Sequence, residues 1–239
     1  MKTLLVLGSK PEPCLPHSGE YVDVACANAS GHSAARFGLP DPVFTAISAV
    51  VTSGIASGRQ SLGAMRGLHT RTLYFLPRTP KPHRGWIKRL KDVPTAVRAS
   101  PFWFKRSLHQ VAYQWDEFVA RGFDEYLAPV TPILSREQGL LAQLAEKRPS
   151  TGLMALIIGM SLERYERFIL SGFSFELTHS YAANPEIQQR GTVASRHAPT
   201  DIRILRALSA GGVSLWTTEP VVHEQAGLPL LEPQRVSTG

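Results

Sequence analysis

The chain has 239 residues, 43% hydrophobic and 19% charged, the composition of a globular protein with one well-filled core. Its two cysteines, Cys14 and Cys26, exclude a disulfide framework or a cysteine-rich zinc site and suit a reducing cytoplasm. A net charge of +7 implies acidic partners (nucleotide sugar, anionic glycan, membrane surface or nucleic acid), and no run reads as a signal-peptide core or a membrane span.

Thr3-Leu-Leu-Val-Leu-Gly8 predicts a strand ending at a glycine, and Ser9-Lys10-Pro11 a turn. A strand running into a glycine turn at the start of an α/β chain is a usual nucleotide-binding position. It is neither a GxGxxG fingerprint nor a P-loop, and a plain strand exit explains the same residues. Tyr21 to Asn28 predicts a second strand, whose Asn28 can bond a ribose or base or simply close a turn. Pro42 to Ser48 predicts a third strand, Ser53 to Arg59 a loop and helix start, and Arg71 to Leu76 a fourth strand.

The composition then shifts. Arg78, Lys81, Arg84, Lys88, Arg89, Lys91, Arg98, Lys105 and Arg106 stand against the single acid Asp92, with Trp86, Ile87, Leu90, Phe102, Trp103 and Phe104 interleaved. Two readings have equal weight: a helical insertion over about 78–110 with its aromatics on the core, or contact with an anionic membrane through 78–106. Single-stranded nucleic acid uses the same ingredients and ranks behind both.

Val111 to Arg121 predicts a helix, and Ser135 to Glu146 another. Arg148-Pro-Ser-Thr-Gly152 leads into the apolar run Gly152 to Met160. Ser150 and Thr151 sit where a helix begins, so their hydroxyls can cap its N–H groups. A helix start with Arg148 beside it suits a carboxylate or phosphate, and an ordinary capped helix explains it as well. Phe168 to Phe175 predicts a buried strand, and a polar loop follows. Then comes His197-Ala-Pro-Thr-Asp201, with Pro199 and Asp201 in the first turn of a helix marked by Ile202, Leu205 and Leu208. His197 suits a general base, although a lone loop histidine is more often a surface residue. Gly212 to Thr218 predicts a late strand, and the tail from Pro220 a proline- and glycine-rich surface segment. Helix, strand, loop and helix from Arg148 to Leu208 make half of a doubly wound, mostly parallel α/β sheet in a single domain over 1–239.

Four blocks in order resemble the bacterial sialyltransferases of glycosyltransferase family 42. They are Arg148-Pro-Ser-Thr-Gly152, Leu170-Ser-Gly-Phe-Ser-Phe175, Ser180-Tyr-Ala182 and His197-Ala-Pro-Thr-Asp-Ile202. The resemblance implies a Rossmann-like fold of sialyltransferase type, a GT-A-like variant with a lid over about 176–196. It implies transfer of a sialic-acid-like nonulosonate or a Kdo sugar from CMP to a hydroxyl of a glycan or glycolipid, as in lipopolysaccharide or capsule synthesis. His197 is the residue that matches the family's general base; Arg148 and Tyr181 join it, Tyr181 at the leaving phosphate. Gly8, Ser9, Lys10, Asn28, Ser150, Thr151, Gly152, Gly172 and Glu176 fall at donor-binding positions. The chain departs from the family at three places. Ser9 replaces an asparagine, no asparagine occurs in Thr45-Ala-Ile-Ser48, and Glu176 replaces a tyrosine.

No Asp-x-Asp pair is present, so neither a metal nor a further cofactor is expected. The expected setting is cytoplasmic, peripheral on the inner membrane face, without a nucleic-acid partner and with oligomer formation open. Two other readings stand: a retaining CMP-Kdo transferase with an acidic nucleophile such as Glu176, and a non-catalytic protein that binds nucleotide or anionic glycan.

Overall fold

The computed structural model describes residues 1–54, 56–78, 97–176 and 194–233. Seven parallel strands form one sheet: β1 (Thr3–Leu7), β2 (Asp23–Ala27), β3 (Phe44–Ser48), β4 (His69–Leu76), β5 (Gln114–Ala120), β6 (Arg167–Ser171) and β7 (Leu215–Thr217). Their order is β5-β4-β3-β2-β1-β6-β7. Helices α1 (Gly31–Arg36), α2 (Ala56–Ala64) and α3 (Pro101–Gln110) lie in the connections of the first half. Helices α4 (Phe123–Leu127), α5 (Thr131–Leu134), α6 (Leu140–Glu146) and α7 (Thr151–Ser161) lie between β5 and β6. Helix α8 (Ala198–Ala210) joins β6 to β7, and α9 (Pro220–Ala226) follows.

The order has a topological consequence. From β1 to β5 the chain moves outward in one direction, then returns to the other side of β1 for β6 and β7. Right-handed crossovers then put the two sets of helices on opposite faces. Both faces are covered, so the central strands are apolar throughout. In β1, Leu4 and Val6 pack with α7 and α8, while Leu5 and Leu7 pack with Ala34 of α1. Helix α7 is buried from Leu153 to Gly159. Gly159 permits its close approach, because a Cβ there would meet Leu4 Cδ2 at 2.5 Å.

Four expectations are corrected. Val111 to Arg121 is no helix: its core is β5, paired with β4. Trp115, Phe118 and Val119 have helical spacing but lie on an edge strand, whose sparse burial leaves little alternation to read. Of the expected helix over Ser135–Glu146 only α6 forms: α5 has already ended at Leu134, and Gly139 at φ 73 precedes the start at Leu140. The tail opens as helix α9, with Pro220 in its first turn and Gly227 at φ 73 closing it. Phe104 is fully buried against Phe75, so it belongs to the core and not to a membrane face. Trp86, with the rest of 79–96, lies outside the described residues.

Candidate active site at the carboxyl ends of the strands

The chain reverses direction between β1 and β6, and a doubly wound sheet opens its crevice at such a point. Gly8 leaves β1 there and Gly172 leaves β6. The Gly8 N–H donates to Ser171 O at 2.8 Å, and Lys10 N–H to Gly172 O at 2.9 Å. A Cβ on Gly8 would fall 2.3 Å from Gly172 O, so only glycine allows this approach. Gly172 has φ +73, which turns the chain sharply out of β6.

Glu219, which the sequence reading passed over, ties these exits together. It is 0% exposed at the first-turn boundary of α9. Its carboxylate accepts from Lys10 Nζ at 2.6 Å, Cys14 N at 2.8 Å and Gly172 N at 2.9 Å. Ser171 Oγ donates to Cys14 O at 2.6 Å, and Thr218 Oγ1 donates to the same carbonyl. The Gly8–Cys14 loop is thus strapped to β6 and to the β7 exit. Lys10, a candidate donor ligand, has its ammonium in this ion pair. Ser9 is half-buried in the same loop. Burial raises the Cys14 thiol pKa and raises that of Cys26 to about 12, so neither serves as a thiolate at neutral pH.

Asn28 ends β2 at φ 51, and its Oδ1 accepts from Ser48 N at 3.0 Å, joining the exits of β2 and β3. Ser30, also passed over, accepts from Ala27 N at 2.8 Å and donates to Leu7 O at 2.9 Å. Asp23 is at the other end of the strand. There it accepts from Tyr165 OH at 2.6 Å.

The α7 start bears out the capping expectation: Ser150 is the N-cap and its Oγ accepts from Leu153 N at 3.2 Å. Thr151 and Gly152 are in the first turn, where N–H groups lack intrahelical partners. A Cβ on Gly152 would meet the Phe173 ring at 2.9 Å, which links the α7 start to the chain leaving Gly172. The Arg148 side chain is held by the connection after β4 and by α4. Its guanidinium lies 4.0 Å from the Phe123 ring centroid and donates to Pro77 O at 3.1 Å.

His197 is the N-cap residue of α8. Its Nδ1 is 2.8 Å from Arg148 O, a carbonyl that only accepts, so Nδ1 carries the proton. Nε2 then has the lone pair, and Arg196 Nε donates to it at 3.2 Å. Burial lowers the pKa of the ring, which favours the neutral form. Asp201, one turn on, accepts from Ser150 N at 2.9 Å, and burial raises its carboxyl pKa to about 6. Glu176 bridges to Ala194 in antiparallel fashion, and Ser195 N donates to Phe175 O at 2.8 Å. These contacts pair the two ends of the 176–196 segment. Tyr181 and 177–193 lie outside the described residues. Among the described residues no three His, Cys, Asp or Glu side chains are grouped to hold a metal ion, and no helix is long and apolar enough to cross a membrane.

Contacts therefore run unbroken from Gly8 through Gly172, Phe173, Gly152, Ser150 and Arg148 to His197. Asn28 stands along the same strand ends. No protein-family model matches the chain, and no curated protein does. Solved structures do. The sialyltransferase CstII from Campylobacter jejuni, in complex with the substrate analogue CMP-3FNeuAc, superposes with TM-score 0.56 at 11% identity, over 96% of this chain and 86% of that one. Monomeric CstII gives TM-score 0.54 at 15% identity, over 99% and 89%. The monofunctional alpha-2,3-sialyltransferase Cst-I from Campylobacter jejuni gives 0.50 at 13%, over 96% and 80%. The chain thus has an α/β fold of the kind seen in these Campylobacter sialyltransferases, one parallel sheet with helices on both faces.

Proposed function

We propose that the chain is a glycosyltransferase that uses a CMP-activated nonulosonate or Kdo sugar and a glycan hydroxyl, with His197 as general base. The observation that carries this reading is the His197 ring. It is held as the Nδ1–H tautomer by a main-chain carbonyl and kept neutral by burial, beside the α7 start. A glycosyl transfer needs that state. As the acceptor oxygen bonds to the anomeric carbon, Nε2 takes its proton, and the bond to the CMP phosphate breaks with its electron pair leaving on CMP. The acceptor hydroxyl would take the place of Arg196 on Nε2. The leaving phosphate suits the α7 first-turn amides and Tyr181, and the Asn28 amide nitrogen suits the ribose or base. Likeness of fold to CMP-bound sialyltransferases supports the choice of nucleotide.

Calorimetry with CMP, UDP and GDP tests the nucleotide, and CMP is expected to bind tightest. His197→Ala is expected to cut turnover about a hundredfold or more while leaving CMP affinity near wild type. Because the ring's pKa is lowered, the acid limb of the rate profile should fall below the usual histidine value of about 6.5. A near-wild-type rate for His197→Ala, or tighter UDP or GDP binding, would overturn the reading.

The Lys10–Glu219 pair favours one alternative, a nucleotide-binding protein without turnover, because it engages a cation that a donor phosphate could have used. Binding of CMP with neither transfer nor hydrolysis of a CMP-sugar would decide for it.

A further inference from the structure

Helix α3 has two unlike sides. Phe104 and Leu108 are fully buried, and the Phe104 ring lies 4.8 Å from that of Phe75. One turn apart, they anchor the helix to the sheet. The outer side carries Phe102, 68% exposed, and Trp103, 39% exposed, in edge contact at 5.6 Å. Val97, 45% exposed, precedes them. The Arg106 guanidinium lies 5.3 Å from the Trp103 ring centroid. Arg98 is also exposed, and the sequence holds no Asp or Glu between Val93 and Trp115.

Phe104 and Leu108 already seat the helix, so the fold gains nothing from two further aromatics in water. Adjacent apolar rings flanked by cations, without an acid, match the boundary of an anionic bilayer. There the rings enter the acyl region and the cations meet lipid phosphates. Nucleic acid would need a ring face for stacking, and Arg106 already lies against Trp103. A bilayer leaves that contact intact.

We propose that the side of α3 formed by Phe102, Trp103 and Arg106 docks the protein on bilayers with anionic headgroups. The proposal is independent of the transferase reading. It also agrees with the geometry of the sheet. Helix α3 packs on β4 and β5 through Phe75 and Phe118, three to four strand spacings from β1, so roughly 15–20 Å separates it from the β1–β6 crevice.

Flotation with vesicles of phosphatidylcholine plus phosphatidylglycerol, against phosphatidylcholine alone, tests it. Binding is expected only with the anionic lipid and should weaken with salt. Phe102→Ser combined with Trp103→Ser should lower the partition coefficient about tenfold or more. Arg106→Gln alone should lower it about fivefold, and it guards against loss of fold in the double variant. Unfolding midpoint and CMP binding should match wild type in all of these. Equal recovery on neutral vesicles would overturn the proposal, as would wild-type binding by the variants. So would single-stranded oligonucleotide binding in place of vesicle binding, or light scattering that shows the variants only break a dimer.

Discussion

Glu219 is the residue whose removal should do most damage for least change in bulk. Its carboxylate is fully buried and accepts from the Lys10 ammonium and from the Cys14 and Gly172 amides. Glu219→Ala strips a partner from two backbone N–H groups, each worth about 1–3 kcal/mol when left unpaired. It also leaves the half-buried Lys10 without its counter-charge, and breaking a buried pair costs about 3–5 kcal/mol in total. The contributions overlap, so the expected loss is about 3–5 kcal/mol, a large part of a normal stability of about 5–15 kcal/mol. Glu219→Gln keeps one oxygen for the two amides but puts an N–H donor where the Lys10 ammonium had its acceptor and counter-charge, so about 1–3 kcal/mol is expected. Lys10→Met should fall between them, because it leaves the carboxylate buried with its amides alone. Urea unfolding of the three variants gives the order directly. CMP titration of Glu219→Gln then separates stability from site geometry: the strapped loop should bind more weakly although the protein is folded. A Glu219→Ala protein within about 1 kcal/mol of wild type would refute the strap.

Three further outcomes are expected. Gly8→Ala puts a Cβ against the Gly172 carbonyl, both on backbone, so the β1 and β6 exits must separate and CMP binding should be lost with measurable destabilisation; wild-type affinity would refute the crevice as the nucleotide site. The Asp201 carboxyl, at about 6 in the fold against about 3.9 in an unfolded chain, stabilises below about pH 4 and loses that contribution as pH rises through 6. Asp201→Asn lacks this loss, so its stability relative to wild type should improve by roughly 3 kcal/mol between pH 4 and 7, and a difference constant with pH would count against the assignment. Turnover with a CMP-sugar is expected to survive EDTA, because no Asp-x-Asp pair occurs in the chain; a strict, restorable divalent-ion requirement would contradict it.

The elements readable in the sequence were those with both faces buried or with explicit end signals. Strands β1 to β4 are apolar runs closed by Gly8, Asn28, Ser48 and Pro77, and α8 announces itself through Pro199 and Asp201. Strand β5 was misread because an edge strand buries little and its apolar residues happen to fall at helical spacing. The α7 start, its cap and the position of His197 were legible because capping is local chemistry. Glu219 and Ser30 were not: a buried carboxylate 209 residues from Lys10 leaves no periodicity or motif behind. Phe104 was grouped with Phe102 and Trp103 by composition, although one helical step separates a core ring from an exposed one.

The spacing of the two central blocks has a physical basis that composition does not reveal. The His197 ring needs an acceptor to fix its tautomer, and takes the main-chain carbonyl of Arg148. The Ser150 amide, just before the α7 start, needs an acceptor, and takes the Asp201 side chain. Each block thus supplies what the other lacks, and Gln143 adds a third tie from α6 through Thr200. The His197 ring is oriented by backbone, not by a carboxylate, so among the described residues no charged partner pulls its pKa upward against the burial that keeps it neutral. The Asp201 carboxyl, one turn on, is itself pushed toward protonation and bonded to an amide. An enzyme that must take a proton from a hydroxyl near neutral pH gains from that arrangement, whereas a histidine that merely packs has no need of it.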